Sequence, residues 1–410
     1  MSLTKTFWVL VVLIVCGATA FASGYQIGEH GARAMAMGGA YVAQASDASA
    51  IYFNPAGLSF QKGFKVMLGA TLIMPATTFT GPTPSTASTD MVSQTFNPIN
   101  VYASYTMENG LSFGLGVYNP FGLGTEWPSG WVGRYMSVKS DVQTFYVNPT
   151  VSYKFSDQFA VGVGVSYVTG KVTLDRKLPL TPAPDGGFKL DGTGTGINFN
   201  LGILWKPSNV LSVGASYRSE TKIEFSGDAT FSNIPPVAPF TSLFPAGVTG
   251  KATLPMPSNL MVGVAYDVSK DFTLEADFQY LGWSSYDILL LTFNKAVAGS
   301  TTSKDTTDWT NSILIRLGGE YRMDKLSLRA GFIYDQTPQP DKAVDPLLPD
   351  ANRIELTVGL GYQITDMINV DLAYQYIKAS DRTVTTPTNT FPGTYKTTAS
   401  LFGFNLGFKF

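Results

Sequence analysis

The 410-residue chain has one cysteine, Cys16, and one histidine, His30. Cys16 lies in an N-terminal apolar run expected to be removed, so the mature chain carries no disulfide, thiol nucleophile or thiolate metal site. A single imidazole excludes zinc centres built on two or three histidines and confines histidine acid–base chemistry to position 30. No metal site or cofactor is implied. Charge is scarce too: 14% of residues are charged, against roughly 25% in an average soluble protein. With a formal net charge of -2, nothing marks a nucleic-acid surface. No segment beyond the N-terminus is an apolar run of the about 20 residues that a membrane-crossing helix needs. Aromatics, at 13%, are plentiful, as are glycine (41) and proline (24), a strand and loop composition.

Residues 1–22 read as a signal peptide. Lys5 precedes an apolar run from Phe7 to Ala18, followed by two small-residue cleavage options, Ala18-Thr19-Ala20 and Ala20-Phe21-Ala22. A lipoprotein reading at Cys16 fails because the bulky Val15 stands where a small residue is required. The mature chain is expected to start near Ser23.

Period-2 alternation then recurs almost to the end. In RIELTVGLGYQ, Ile354, Leu356, Val358, Leu360 and Tyr362 share one face and polar or small residues the other. The chain closes with Phe402, Phe404, Leu406, Phe408 and Phe410 on one face. Apolar faces of about ten residues match a tilted membrane-spanning strand. Aromatics gather at segment ends, as an interfacial girdle requires. Alternating segments begin near 64, 90, 111, 137, 158, 189, 210, 251, 271, 307, 325, 352, 368 and 395. Their links alternate short and long, the long ones around 80–90, 120–136, 176–188, 228–250, 294–306, 336–351 and 384–394. The fold class that follows is all-β: a 14-stranded antiparallel transmembrane β-barrel over 63–410, which satisfies every backbone group without water. Residues 23–62 do not alternate. They are rich in Ala, Gly and Met, with Asp47 placed to cap a short helix that must stop before Asn54-Pro55, and are expected to form a small N-terminal hatch plugging the lumen. A periplasmic extension or an extra strand is the alternative.

The third segment spoils its own pattern. After LSFGLGVY comes Asn119-Pro120-Phe121-Gly122, where a missing donor and a glycine break a ladder. Either the strand kinks there, or Pro120 merely ends it and opens the external loop.

Several stretches together resemble the long-chain fatty-acid transporter (FadL/TodX-type) family of Gram-negative outer membranes. They are Gly24-Tyr25-Gln26, Asn54-Pro55-Ala56, YNPFGLGTEW (118–127), SYRSETKIEFSG (216–227), YLGWSSYDIL (280–289), the run 316–341 and the terminal aromatic strand. The resemblance covers the mature chain in order. It implies a plugged barrel whose third strand kinks inward and opens the wall laterally, which places the kink at Tyr118, Asn119, Pro120, Phe121 and Gly122. It makes Asn54 of the hatch a candidate partner for the groups freed there, and Tyr25 the aromatic inserted into the ligand pocket. It further implies passive uptake of hydrophobic compounds, long-chain fatty acids first and monoaromatic hydrocarbons as the alternative.

A lateral exit makes physical sense. An acyl tail of about fifteen CH₂ groups would lose on the order of 12 kcal/mol if released into water, at ~0.8 kcal/mol per group. Ligand capture is expected on the apolar external loop 231–247, at Phe231, Ile234, Val237, Phe240, Leu243 and Phe244, with Trp127 and Trp131 lining the same groove. Candidates for holding a carboxylate are Lys171 and Arg176, which the resemblance places near the ligand pocket, together with Arg218, Arg316 and Arg329. By parity Arg218, Lys222, Arg316, Arg329 and Arg353 face the lumen among Glu220, Glu224, Glu320 and Glu355, which equally fits ion pairs bracing strands and hatch. Parity places Lys171 outward unless a bulge intervenes, and Thr310 stands where a family member can offer a lysine, which keeps uncharged ligands open. The expected partners are a hydrophobic small molecule and outer-membrane lipid, with no nucleic acid, in a monomer. A lipid-processing enzyme would need a histidine-activated serine, which the spacing does not provide. A general porin or adhesin barrel is the more remote alternative.

Overall fold

The structure, a computed structural model, describes residues 24–386 and 390–410; the expected signal peptide at 1–22 lies outside the described residues. Among the described residues the chain forms fourteen antiparallel staves. They are β1 (Gly63–Thr80), β2 (Ile99–Thr106), β3 (Leu111–Tyr118, then Gly122–Glu126), β4 (Lys139–Ser156), β5 (Phe159–Leu178), β6 (Gly186–Ser208) and β7 (Leu211–Arg218, then Thr221–Ser232). The remainder are β8 (Val248–Met256 and Asn259–Asp267), β9 (Phe272–Leu281, then Ile288–Val297), β10 (Ser300–Thr306 and Ser312–Met323), β11 (Leu326–Asp335), β12 (Arg353–Gln363), β13 (Ile368–Ala379) and β14 (Gly393–Lys409). β1 pairs with β14 from Lys65 opposite Lys409 to Thr80 opposite Thr394, which closes the barrel.

The alternation holds as the sequence demands. On β12, Ile354, Leu356, Val358, Leu360 and Tyr362 are 47–57% exposed on the outer face, while Glu355 and Thr357 are buried inside. Three segment boundaries differ from expectation. The second stave begins at Ile99 rather than near 90, because Ser88–Asp90 folds back onto the outer end of β1. The link expected at 294–306 is a hairpin in which Ile288–Val297 pairs with Ser300–Thr306. The link expected at 176–188 shrinks, because β5 and β6 stay in register out to Leu178 opposite Gly186.

β3 and β7 each slip by one residue. Tyr118 stands opposite Tyr146 but Gly122 opposite Gln143, so β3 carries one residue more than β4. Arg218 faces Asn200 but Glu224 faces Thr195, the same excess in β7 over β6. Such a bulge turns every following side chain to the other face. Beyond the slips Phe121 and Thr125 on β3 and Ile223 and Phe225 on β7 are buried inside. Lys222 and Glu224 lie exposed outside, which corrects their expected place in the lumen. β5 and β6 keep their register, yet the outer part of each presents apolar residues inward, Val172 and Leu174 on one and Phe188 and Leu190 on the other. The barrel interior therefore changes from polar near the short turns to apolar near the long loops.

Residues 24–62 fill the polar end. Their helices α1 (Ala32–Ala36) and α2 (Ala50–Phe53) are short and almost wholly buried. Asp47 accepts the Ser49 N–H at 2.9 Å just ahead of α2, and the helix stops before Asn54-Pro55. Barrel carboxylates satisfy the loose backbone between the helices. Asp277 accepts the N–H groups of Tyr41 and Val42 at 2.8 and 3.0 Å, and Glu275 accepts that of Ala43 at 2.6 Å. A buried ion-pair chain, Arg33–Glu320–Arg329–Asp371, ties α1 to three staves at 2.9, 2.6 and 2.6 Å.

A candidate ligand conduit between hatch and wall

The interrupted third strand is where the N-terminal segment meets the wall. Above Ile99 the chain leaves β3 and follows β1 instead, with Ile73 and Phe96 exchanging backbone hydrogen bonds at 2.8 and 2.9 Å. β3 thereby loses its ladder partner on that side. Two devices meet the freed groups. The Asn119 amide replaces the ladder, its Oδ1 accepting the Ile99 N–H at 2.9 Å and its Nδ2 donating to the Thr144 carbonyl at 2.5 Å. The hatch supplies a short strand: Ile27 N–H donates to the Pro120 carbonyl at 2.9 Å and Gly122 N–H to the Tyr25 carbonyl at 3.0 Å. Asn54, expected to serve the kink, is elsewhere. Its Nδ2 donates to the carbonyls of Val42 and Ile203, both at 2.9 Å, and so fixes the hatch to β6. Pro55 beside it packs on Gly162 and Gly202, where any Cβ would collide with this turn.

Tyr25 is 6% exposed and stands among Trp283, Trp309, Phe121 and Tyr286, with ring centroids 4.7, 5.9, 6.3 and 6.5 Å away. The breaks in β9 and β10 supply three of these rings, which the sequence reading did not assign. The signal available was Gly282 and Asp308 interrupting alternation beside tryptophans. Gly24 precedes the cage at φ +67, and a Cβ there would lie 2.7 Å from the Trp309 ring, so only glycine lets the chain enter.

Tyr25, Leu123, Val142 and Leu348 border two cavities. The outer one, about 140 Å³, lies under the long loops against Val172, Leu174, Leu190 and Phe225, with Asp345 and Asp305 in its lining. Burial pushes the Asp345 carboxyl up to about 7, and the charge of Asp305 adds to the shift. The inner cavity, about 510 Å³, runs from the hatch to the kink, and its lining includes Ile99 and Phe145. Those two side chains are 38% and 42% exposed on the outer face. Phe96 packs onto Gly124 in this interval, where a Cβ would collide with its ring. Beneath the cavities His30 stacks on Tyr52 at 3.6 Å, and burial pushes its imidazole down to about 3, so it is neutral at physiological pH.

The candidate head-group residues separate clearly. Lys171 is exposed outside, since β5 pairs with β4 and β6 there without the bulge that would turn it inward. Arg176 stands beyond Leu174 near the rim, its guanidinium 5.2 Å over the Phe188 ring. Arg329 is committed to Glu320 and Asp371. Arg218 is buried, donates to Ser166 at 3.3 Å and lies 5.5 Å from the rings of Tyr52 and Tyr118, outside both cavity linings. Arg316 lines the inner cavity while holding Gln279 at 3.0 Å and the Gly38 carbonyl at 3.0 Å. In the external loop, Phe231 contacts Phe188 and Phe244 at 5.7 and 5.4 Å, and Phe231, Ile234, Phe240, Leu243 and Phe244 are half-buried; Val237 is exposed. Trp127 and Trp131 do not join this groove. They stack on each other at 4.4 Å in a separate cluster with Phe79 and Tyr395, and Trp127 donates to the Pro346 carbonyl at 3.0 Å.

A closed barrel, a lumen filled by the N-terminal segment and a wall broken at β3 define a specific kind of membrane protein. The profile of the outer membrane protein transport protein family (OMPP1/FadL/TodX) matches residues 13–410. The chain belongs to this family. It is similar to a 47 kDa outer membrane protein of Pasteurella multocida, 26% identical over 433 residues that cover 99% of this chain and 98% of the relative. It is also similar to the long-chain fatty acid transport protein of Salmonella typhi, 25% identical with 99% and 98% covered. Among solved structures, a FadL homologue of Pseudomonas aeruginosa superposes with a TM-score of 0.81 at 20% identity, covering 96% of this chain and all of that one. The toluene transporter TodX of Pseudomonas putida superposes at 0.71 with 17% identity, 93% and 98% covered. The protein is therefore an outer-membrane transport protein and not an enzyme.

Proposed function

We propose that the chain, acting as a single barrel, imports long-chain fatty acids passively. The apolar loop around Phe231 and Phe244 captures the ligand, the outer cavity receives it, and it leaves sideways into the bilayer between Phe96 and the kinked β3. One observation carries this reading: the inner cavity is bordered both by the hatch residue Tyr25 and by the lipid-facing Ile99 and Phe145. A route of that kind keeps an acyl tail out of water along its whole length. The cavity volume falls within the roughly 300–1,000 Å³ of small-molecule sites. Relatives named long-chain fatty acid transport proteins, matched along nearly their full length, favour acyl ligands. The scarcity of uncommitted cations along the route favours the second reading, a monoaromatic hydrocarbon such as the one the TodX neighbour is named for.

The test is uptake of radiolabelled oleic acid and toluene by cells lacking their own importer, complemented with the wild type or with Pro120→Val combined with Gly122→Val. Loss of oleic acid uptake in a correctly folded double variant is the expected result. Uptake of toluene alone moves the substrate to hydrocarbons, and undiminished uptake by the variant removes the lateral exit.

A further inference from the structure

Carboxylates outnumber cations along the conduit. The outer cavity has Asp305 and Asp345 in its lining and, among the described residues, no lysine or arginine. The inner cavity sets Glu29, Asp335, Asp350 and Glu355 against Arg316 and Arg353. Both guanidiniums are occupied. Arg353 holds Asp350 and the Gly24 carbonyl, each at 2.7 Å. Arg316 holds Gln279 and Gly38 and is covered by the hatch, with Gly28 and Gly39 lying directly against its guanidinium. An ionised head group entering the outer cavity thus leaves water for a low-dielectric lining whose charged groups share its sign, which raises both desolvation and repulsion. A neutral polar head meets the opposite situation. The Tyr25 hydroxyl is buried, belongs to a side chain bordering both cavities, and has no hydrogen-bond partner among the described residues. It can donate to an ester or acid carbonyl or accept from a hydroxyl, and Asp345 can accept from a hydroxyl.

We infer that the conduit carries ligands with an uncharged head, such as a long-chain alcohol, an ester or the protonated acid, and rejects the ionised carboxylate, with Asp345 setting the discrimination. This rests on the reading of the two cavities as the ligand path.

The full-length protein in lipid nanodiscs, with empty nanodiscs as blank, is assayed at pH 8 for binding of tritiated oleate, oleyl alcohol and methyl oleate. The wild type is expected to hold the alcohol and the ester about tenfold more tightly than oleate, the scale of one unfavourable charge contact at partial burial. Asp345→Asn is expected to narrow that gap to about threefold by tightening oleate alone. Asp305→Asn, at the exposed margin, is expected to have a smaller effect in the same direction. Oleate binding as tight as the alcohol in the wild type, or a gap unmoved by Asp345→Asn, overturns the inference and leaves the import of acyl ligands standing. Binding of none of the three probes sinks both.

Discussion

Asn119, Tyr25 and Asp345 each do something their residue types alone do not announce. Asn119 uses one end of its amide to accept the Ile99 N–H of β2 and the other to donate to the Thr144 carbonyl of β4, so the break does not leave these groups orphaned facing lipid. Asp345 is a titratable side chain in the external loop between β11 and β12, where it accepts the Leu347 N–H at 2.8 Å and faces Asp305, Tyr286 and Tyr395. With its carboxyl raised to about 7 from an ordinary 3.8, the closed loop binds a proton that the opened loop releases. Loop stability is therefore greatest below the ordinary value and declines as pH rises toward about 7. Hydrogen exchange at Leu347 and Leu348, corrected for intrinsic rates, is expected to show less protection at pH 8 than at pH 5. Asp345→Asn should abolish the difference.

At the scale of elements, the N-terminal segment is held by the barrel more than by itself. α1 and α2 have five and four residues, far below the about 12–15 that an isolated helix needs, and the chain between them is satisfied by Asp277 and Glu275 of β9. Hydrogen bonds to a charged acceptor contribute about 1.5–3 kcal/mol each. Asp277→Ala should consequently loosen residues 40–44 by about 2–4 kcal/mol, read as faster amide exchange there with the β9 ladder unchanged. Equal protection in the variant would show that packing alone seats the segment. The slips in β3 and β7 act on the same scale. Each rotates an apolar run inward, and together with the reversed pattern on β5 and β6 they create the apolar outer cavity.

For the whole molecule, a closed barrel filled at its polar end and opened in its wall predicts low ionic permeability despite fourteen staves. In planar bilayers the wild type is expected to conduct far less than an open barrel of the same strand number, because residues 24–62 occupy the lumen and the wall opening leads to hydrocarbon. Large, steady conductance steps would contradict this arrangement and revive the porin reading.

The period-2 pattern by itself determined the class of fold, the number of staves, their lipid face and the short-turn end, because a strand buried against lipid on one side and a polar lumen on the other must alternate. It also marked the broken strand at Pro120 and, by its small-residue composition, the segment that fills the lumen. Only the tertiary structure decided what completes the break. The family resemblance of its motif suggested Asn54, whereas Tyr25–Ile27 and the Asn119 side chain occupy that place, since long-range pairing fixes which backbone groups meet. Parity counted along β7 put Lys222 and Glu224 inside, and a single extra residue reversed them, which no local pattern reveals because a bulge is set by the partner strand's register. The cage around Tyr25 and the separation of Trp127 and Trp131 from the capture groove likewise depend on how distant loops pack, and that information resides in the closed barrel rather than in any one stretch of chain.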